Sequence, residues 1–194
     1  MKKKLCVIIL AVAILTTVFT SVVVASSSTY GGYWPKNSLT YYVPSSISST
    51  YSSTIRTAIV NGIKSWSGLS AVTLSESTSV SHDIGAYMNY YGNTGWDGYT
   101  TINPSTISEY TFAKIQLNTY TYYNYTSSSY ANLWRALACH ESGHALGIGH
   151  SSTSDTSVMC DGTENYYQIN GTKKYIHPKR RIEMPLEVYT ARNF

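Results

Sequence analysis

Three of the chain's five histidines, His140, His144 and His150, fall within the stretch ALACHESGHALGIGHSS at 136–152, and Glu141 directly follows the first of them. His140 and His144 are four residues apart, so on a helix they stand one above the other on one face. Two imidazoles so placed can bind one metal ion. Glu141 lies on the rim of the same face, too near the metal to be idle and wrongly angled to replace a histidine. It is placed to hold a water on the metal. Gly147 follows His144 by three residues and can take the left-handed backbone that ends a helix and turns the chain. Gly149 adds freedom, and His150 then arrives from the turn. Three neutral imidazoles plus one water make a tetrahedral site with an open position, the pattern of catalytic zinc. Zinc lowers the pKa of its water to roughly 7 and polarises a carbonyl, and Glu141 can carry the proton from water to a leaving amine. Those are the parts needed to hydrolyse a peptide bond. HExxH alone is a moderate signal, but the form H-E-x-x-H-x-x-G-x-x-H is complete here. A helix with partly buried histidines and no metal is the bland alternative, and it does not account for that spacing.

These side chains need a helix beneath them, and 131–146 reads as one. Upstream, LTYYVP (39–44) reads as a strand closed by Pro44. Residues 49–68 read as a single helix, with Ile55, Ile59, Ile63 and Trp66 on one face, serines at its start and Gly68 at its end. Strands are expected at 71–76 and 83–92, with a short one at 98–102. In 110–118, Phe112, Lys114 and Gln116 alternate with Ala113, Ile115 and Leu117, which is a strand with one buried face. Residues 26–33 read as a polar lead and 119–130 as a polar connection. No internal repeat and no second domain is visible.

The opening segment has Lys2, Lys3 and Lys4 before an apolar run from Leu5 to Leu15 and a weaker one to Ala25. This reads as a secretory signal peptide, 1–25, cut after Ala25. An uncleaved membrane anchor is the rival, weakened by Thr16, Thr17, Thr20 and Ser21. Of the fourteen Lys and Arg, three lie in that segment, leaving eleven against ten acids. The near balance argues against a nucleic-acid partner. After cleavage a secreted, extracellular monomer without membrane association is expected. The 19 Tyr and 12% charged residues suit a secreted protein built around sheets, and by themselves assign no function. Outside the signal two cysteines remain, Cys139 and Cys160, and an exported pair permits one disulfide.

The segment HESGHALGIGHS resembles the metzincin metallopeptidases, and within them the matrixin-like branch. Ser151 after the third histidine is typical of that branch. Metzincins carry a methionine turn beneath the zinc, and TSVMC puts Met159 at a matching distance. Asp161 stands where the astacin-like branch has a tyrosine. WPKNSLTYYV, the helix ending in Trp66, HDIGAYM and IQLN follow the order of matrixin-like domains over roughly 34–165. The resemblance implies an α+β, zincin-like fold: a twisted mixed sheet, a catalytic helix and a Met-turn, with Met159 and Gly147 as structural support. It implies His140, His144 and His150 as zinc ligands, Glu141 as catalytic base, and a protein or peptide substrate. It also implies that an edge strand near 97–103 takes the substrate in extended form. If the turn lies under the site, Cys139 and Cys160 come near one another and a disulfide between them is expected; two buried thiols are the alternative. The cysteine that blocks the zinc in many matrixin prodomains has no counterpart here. Calcium cannot be read: Asp97 and the His82-Asp83 pair could serve, but loop and strand-end roles fit them better. A secreted zinc-containing binding module without turnover is the alternative function, and a cell-surface protein whose Tyr-rich patches bind a polymer is a further one.

The peptidase domain is expected over 26–171. Residues 172–194 depart from the Ser/Thr/Tyr-rich composition before them and are basic. Lys173, Lys174, Lys179, Arg180, Arg181 and Arg192 are six of the eleven basic residues outside the signal. One reading is a basic surface tail. Another is a reading-frame shift, because codons for Glu183 to Ala191 read from their third base permit Asn-Ala-Val-Arg-Ser-Ile-Tyr-Gly, which resembles the family's usual ending.

Overall fold

The computed structural model describes residues 30–67, 72–105, 108–120, 126–151 and 158–159. Five strands, β1 (Ser38–Tyr42), β2 (Thr73–Glu76), β3 (Ile84–Asn89), β4 (Gly98–Asn103) and β5 (Phe112–Asn118), form one sheet in the order β2-β1-β3-β5-β4. All neighbours are parallel except β4, which runs antiparallel to β5 at the edge. Among the described residues three α-helices accompany them: α1 (Ser46–Thr50), α2 (Ser53–Lys64) and α3 (Ala131–Ala145). The result is the mixed α+β sheet with helices, and the Met-turn-like region, that the metzincin resemblance implies. Among the described residues no helix is long and apolar enough to cross a membrane.

The alternation along the strands decides which face is covered. Leu39, Tyr41, Ile84, Ala86, Met88, Ala113, Ile115 and Leu117 are buried, as the period of two requires. Helices α2 and α3 pack on each other, and α3 lies against β4 and β5. From α2 come Ile55, Ile59 and Ile63, all fully buried on its one apolar face. Trp66, just past α2, donates its indole N–H to the Cys139 carbonyl at 2.8 Å, which ties the two helices.

Two expectations need correction. The single helix over 49–68 is two helices, because Ser52 is extended and its hydroxyl accepts the Ile55 N–H at 3.1 Å. A serine that caps cannot also be a mid-helix residue, so α1 ends at Thr50 and α2 starts afresh. The strand over 83–92 stops at Asn89. Beyond it the chain is recruited by the buried Asn118, whose carboxamide accepts from the Tyr91 N–H at 3.0 Å and donates to the Gly92 carbonyl at 2.9 Å. Tyr33, at the end of the polar lead, and Trp34 after it are likewise held: Tyr110 N–H donates to the Tyr33 carbonyl at 2.7 Å, and Trp34 Nε1–H to the Ala145 carbonyl at 2.9 Å. Gly68 falls outside the described residues.

Asp83 has the strand-end role. Its carboxylate accepts from the Thr40 N–H at 2.7 Å and pairs with Lys36 at 2.7 Å. Burial opposes its ionisation, but the Lys36 ammonium and the two Thr40 donors outweigh it and hold the carboxyl below the usual range.

Candidate metal centre

The site is built on the C-terminal half of α3. That helix is buried from Ala136 to Ala145, polar residues included. It ends as the glycine spacing predicts. Gly147 has φ of 88°. Its N–H donates to the His144 carbonyl at 2.8 Å and the Ile148 N–H to the Gly143 carbonyl at 3.0 Å, the paired closure that a left-handed residue permits. The reversed chain brings His150 back towards the helix.

The three Nε2 atoms converge. His140 to His144 is 2.9 Å, His144 to His150 is 3.1 Å and His140 to His150 is 3.2 Å. The other ring nitrogens of His140 and His144 are committed. His140 Nδ1 donates to the Val158 carbonyl at 2.7 Å and His144 Nδ1 to the Ile148 carbonyl at 2.8 Å. With the proton on Nδ1, each of these two rings offers a lone pair at Nε2. Burial, joined by the His144 and His150 imidazoles and opposed by the Val158 carbonyl, pushes His140 down to about 3, so its ring is neutral as a ligand must be. Lone pairs facing one another at this range repel unless a cation lies among them. Tetrahedral zinc holds nitrogen ligands about 3.3 Å apart, from Zn–N bonds of about 2.0–2.1 Å, so the triad fits such an ion. Among the described residues this is the group of His, Cys, Asp and Glu able to hold a metal.

Glu141 is 3% exposed and faces β4. Its Oε2 accepts the Thr100 hydroxyl at 2.7 Å. Burial pushes the carboxyl up to about 8, with Thr100 acting the other way and Asp97 adding to the rise. Met159 is fully buried beneath Gly143, and its carbonyl accepts the Ser151 N–H at 2.8 Å. The turn is therefore stitched to the triad from both sides, through Val158 to His140 and through Ser151 to the residue after His150.

The family model described as Peptidase_M10, Matrixin, matches residues 33–178. The chain belongs to the matrixin family. It carries a zinc-dependent endopeptidase domain of that family, with the histidine triad and a nearby glutamate. The matrixin match runs seven residues past the expected boundary at 171. Among solved structures, this matrixin is similar to that of myroilysin, at 18% identity and a TM-score of 0.44, over 64% of this chain and 55% of that one. No curated protein matches it.

The sequence brings His140, Glu141, His144, Gly147, His150 and Met159 forward, and all six lie together. Cys139 is buried beside the first ligand. Cys160 and the 172–194 tail lie outside the described residues, as does the 1–25 segment. Three residues of the site were not visible in the sequence. Thr100 and Gly98 come from β4, and Tyr30 from the lead, its hydroxyl 3.1 Å from His144 Nδ1 and its N–H donating to the Gly147 carbonyl at 3.0 Å. A strand's period tells which residues share a face, not which far helix that face will meet.

Proposed function

We propose that this matrixin is a secreted, monomeric zinc endopeptidase that cleaves extended peptides bound along β4. His140, His144 and His150 would hold zinc, Glu141 would be the general base and then the general acid, and Met159 and Gly147 would support the site. The observation that carries this reading is the convergence of three Nε2 atoms, two with their tautomers fixed by carbonyls, beside a buried carboxylate held by β4, the edge strand of the sheet among the described residues. Zinc, when bound, supplies Lewis acidity that lowers the pKa of water to roughly 7 and polarises the scissile carbonyl. Glu141 accepts the proton of the attacking water on its carboxylate and delivers it to the departing amine. The β4 edge orients the peptide through main-chain hydrogen bonds, so its register sets which bond lies over the triad. Export rests on the Lys2–Lys4 head and the apolar 5–25 segment. A Cys139–Cys160 disulfide belongs to the same reading, and intact-protein mass spectrometry with thiol labelling would reject it by finding free thiol.

The test is hydrolysis of a quenched peptide by purified 26–194, with a chelator control and Glu141→Ala alongside. Chelation should abolish turnover, and zinc should restore it. Glu141→Ala should lower kcat by about 10²–10⁴-fold while one zinc per chain is retained. Chelator-insensitive hydrolysis would sink the zinc mechanism. Bound zinc without turnover in the unmodified chain would favour the binding module instead.

A further inference from the structure

The edge strand does two jobs through one residue. In the β4–β5 ladder Gly98 pairs with Leu117, and the Asn118 N–H donates to the Asp97 carbonyl at 2.7 Å. Antiparallel pairs alternate, so Asp97, Tyr99, Thr101 and Asn103 direct their main-chain groups at β5. The N–H and C=O of Gly98, Thr100 and Ile102 are therefore the ones that point away from β5, to the edge that no described strand covers. Two of these three residues put side chains on the face that meets α3: Ile102 packs on the core, and Thr100 reaches Glu141, while Gly98 presents none there.

The contact at Glu141 is two-sided. Thr100 Oγ1 lies 2.7 Å from Oε2 and 3.0 Å from the Glu141 main-chain carbonyl, so one hydroxyl bridges the side chain and backbone of the same residue. Gly98 lies against the other oxygen. A Cβ there would collide with Oε1 and sit 2.7 Å from Cδ, so any side chain at 98 would push the carboxylate away. Thr100 thus holds Oε2, while Gly98, with no Cβ, leaves the room that Oε1 occupies. Three groups on one strand share the work: a hydroxyl that aims, a missing side chain that makes room, and outward main-chain groups that receive the peptide.

We infer that Thr100 is a positioning residue for the hydrolysis proposed above: it fixes the Glu141 carboxylate in the pose from which it carries the proton, and it couples that alignment to peptide binding on its own main chain. A peptide strand paired with Thr100 immobilises the residue whose hydroxyl holds the base. The alignment is then best when substrate is present, so its loss should fall on kcat more than on KM. The kinetic consequence rests on the peptidase reading; the geometry does not.

The experiment compares zinc-loaded wild type with Thr100→Val, Thr100→Ser and Gly98→Ala. Thr100→Val should lower kcat by about 10–100-fold with KM changed by less than about threefold, and Thr100→Ser should recover most of it. Zinc affinity by chelator competition and the melting transition should match wild type in Thr100→Val, since the triad is untouched and the shape is kept. Crystal structures of zinc-loaded Thr100→Val and Gly98→Ala should show the Glu141 carboxylate displaced or split between rotamers. Wild-type kcat in Thr100→Val, or an unmoved carboxylate in its crystal structure, would overturn the inference. So would loss of zinc or of cooperative melting in that variant, which would make Thr100 a structural residue. If wild type itself hydrolyses nothing, the peptidase reading fails separately, and the carboxylate positions still decide whether Thr100 aims Glu141.

Discussion

Helices α2 and α3 lie against each other, yet they are stabilised in opposite ways. On α2 the buried residues, Ile55, Ala58, Ile59, Gly62 and Ile63, form a stripe, and Ser53, Thr54, Thr57, Asn61 and Lys64 are exposed. On α3 burial goes all the way round from Ala136 to Ala145, and His140, Glu141, Ser142 and His144 are inside. A stripe is what an amphipathic helix needs to stay folded. Buried imidazoles and a buried carboxylate cost stability unless each is answered. On α3 each is answered from elsewhere: Val158 and Ile148 for the histidines, Thr100 for Glu141. Helix α2 is thus a scaffold, whereas α3 keeps its polar groups for chemistry.

The largest expected effect is on the chemical helix. His144→Ala should abolish peptide hydrolysis and weaken zinc binding in chelator competition by more than the roughly 10–100-fold typical of outer-shell changes. A variant that still held zinc tightly and turned over would erase the contrast between the helices. On the scaffold helix the readout reverses. Ile59→Ala should cost about 2–5 kcal/mol in denaturant unfolding, with zinc stoichiometry and kcat of the folded protein unchanged. Trp66→Phe tests the tie between the two helices; losing the indole donor to the Cys139 carbonyl should cost about 1–2 kcal/mol. A smaller kcat in that variant at full folding would show that α2 also steers the catalytic helix. Smallest is Ser52→Ala, which removes the cap of α2 and should lower stability by about 1 kcal/mol in thermal melts, without touching activity.

Legibility followed the range of the interaction. The stripe of α2 was readable from Ile55, Ile59 and Ile63, but its start was not. Ser49, Ser52 and Ser53 are all candidate caps, and only the extended backbone at Ser52 chooses between them. The alternation of β5 was readable in full, whereas β3 lost its last expected residues to Asn118, a partner 27 positions beyond Tyr91. At the site the same division holds. Tyr30 looked like part of a polar lead because nothing within a few residues of it signals a histidine 114 positions on.

The triad, the carboxylate beside it and the turn that closes it were all dictated by neighbouring residues, and so could be read from the chain alone. Helical period and one left-handed glycine act over a few residues, and a spacing of four, then three, then three is enough to converge three rings. What surrounds those rings was settled only by packing. It chose which face of β4 meets α3, and so which threonine holds Glu141 and which glycine gives it room. It also brought the Val158 carbonyl that sets the His140 tautomer. Thr100 and Gly98 are separated from the motif by tens of residues, and only the closed sheet, with its fixed register and burial, brings them against it.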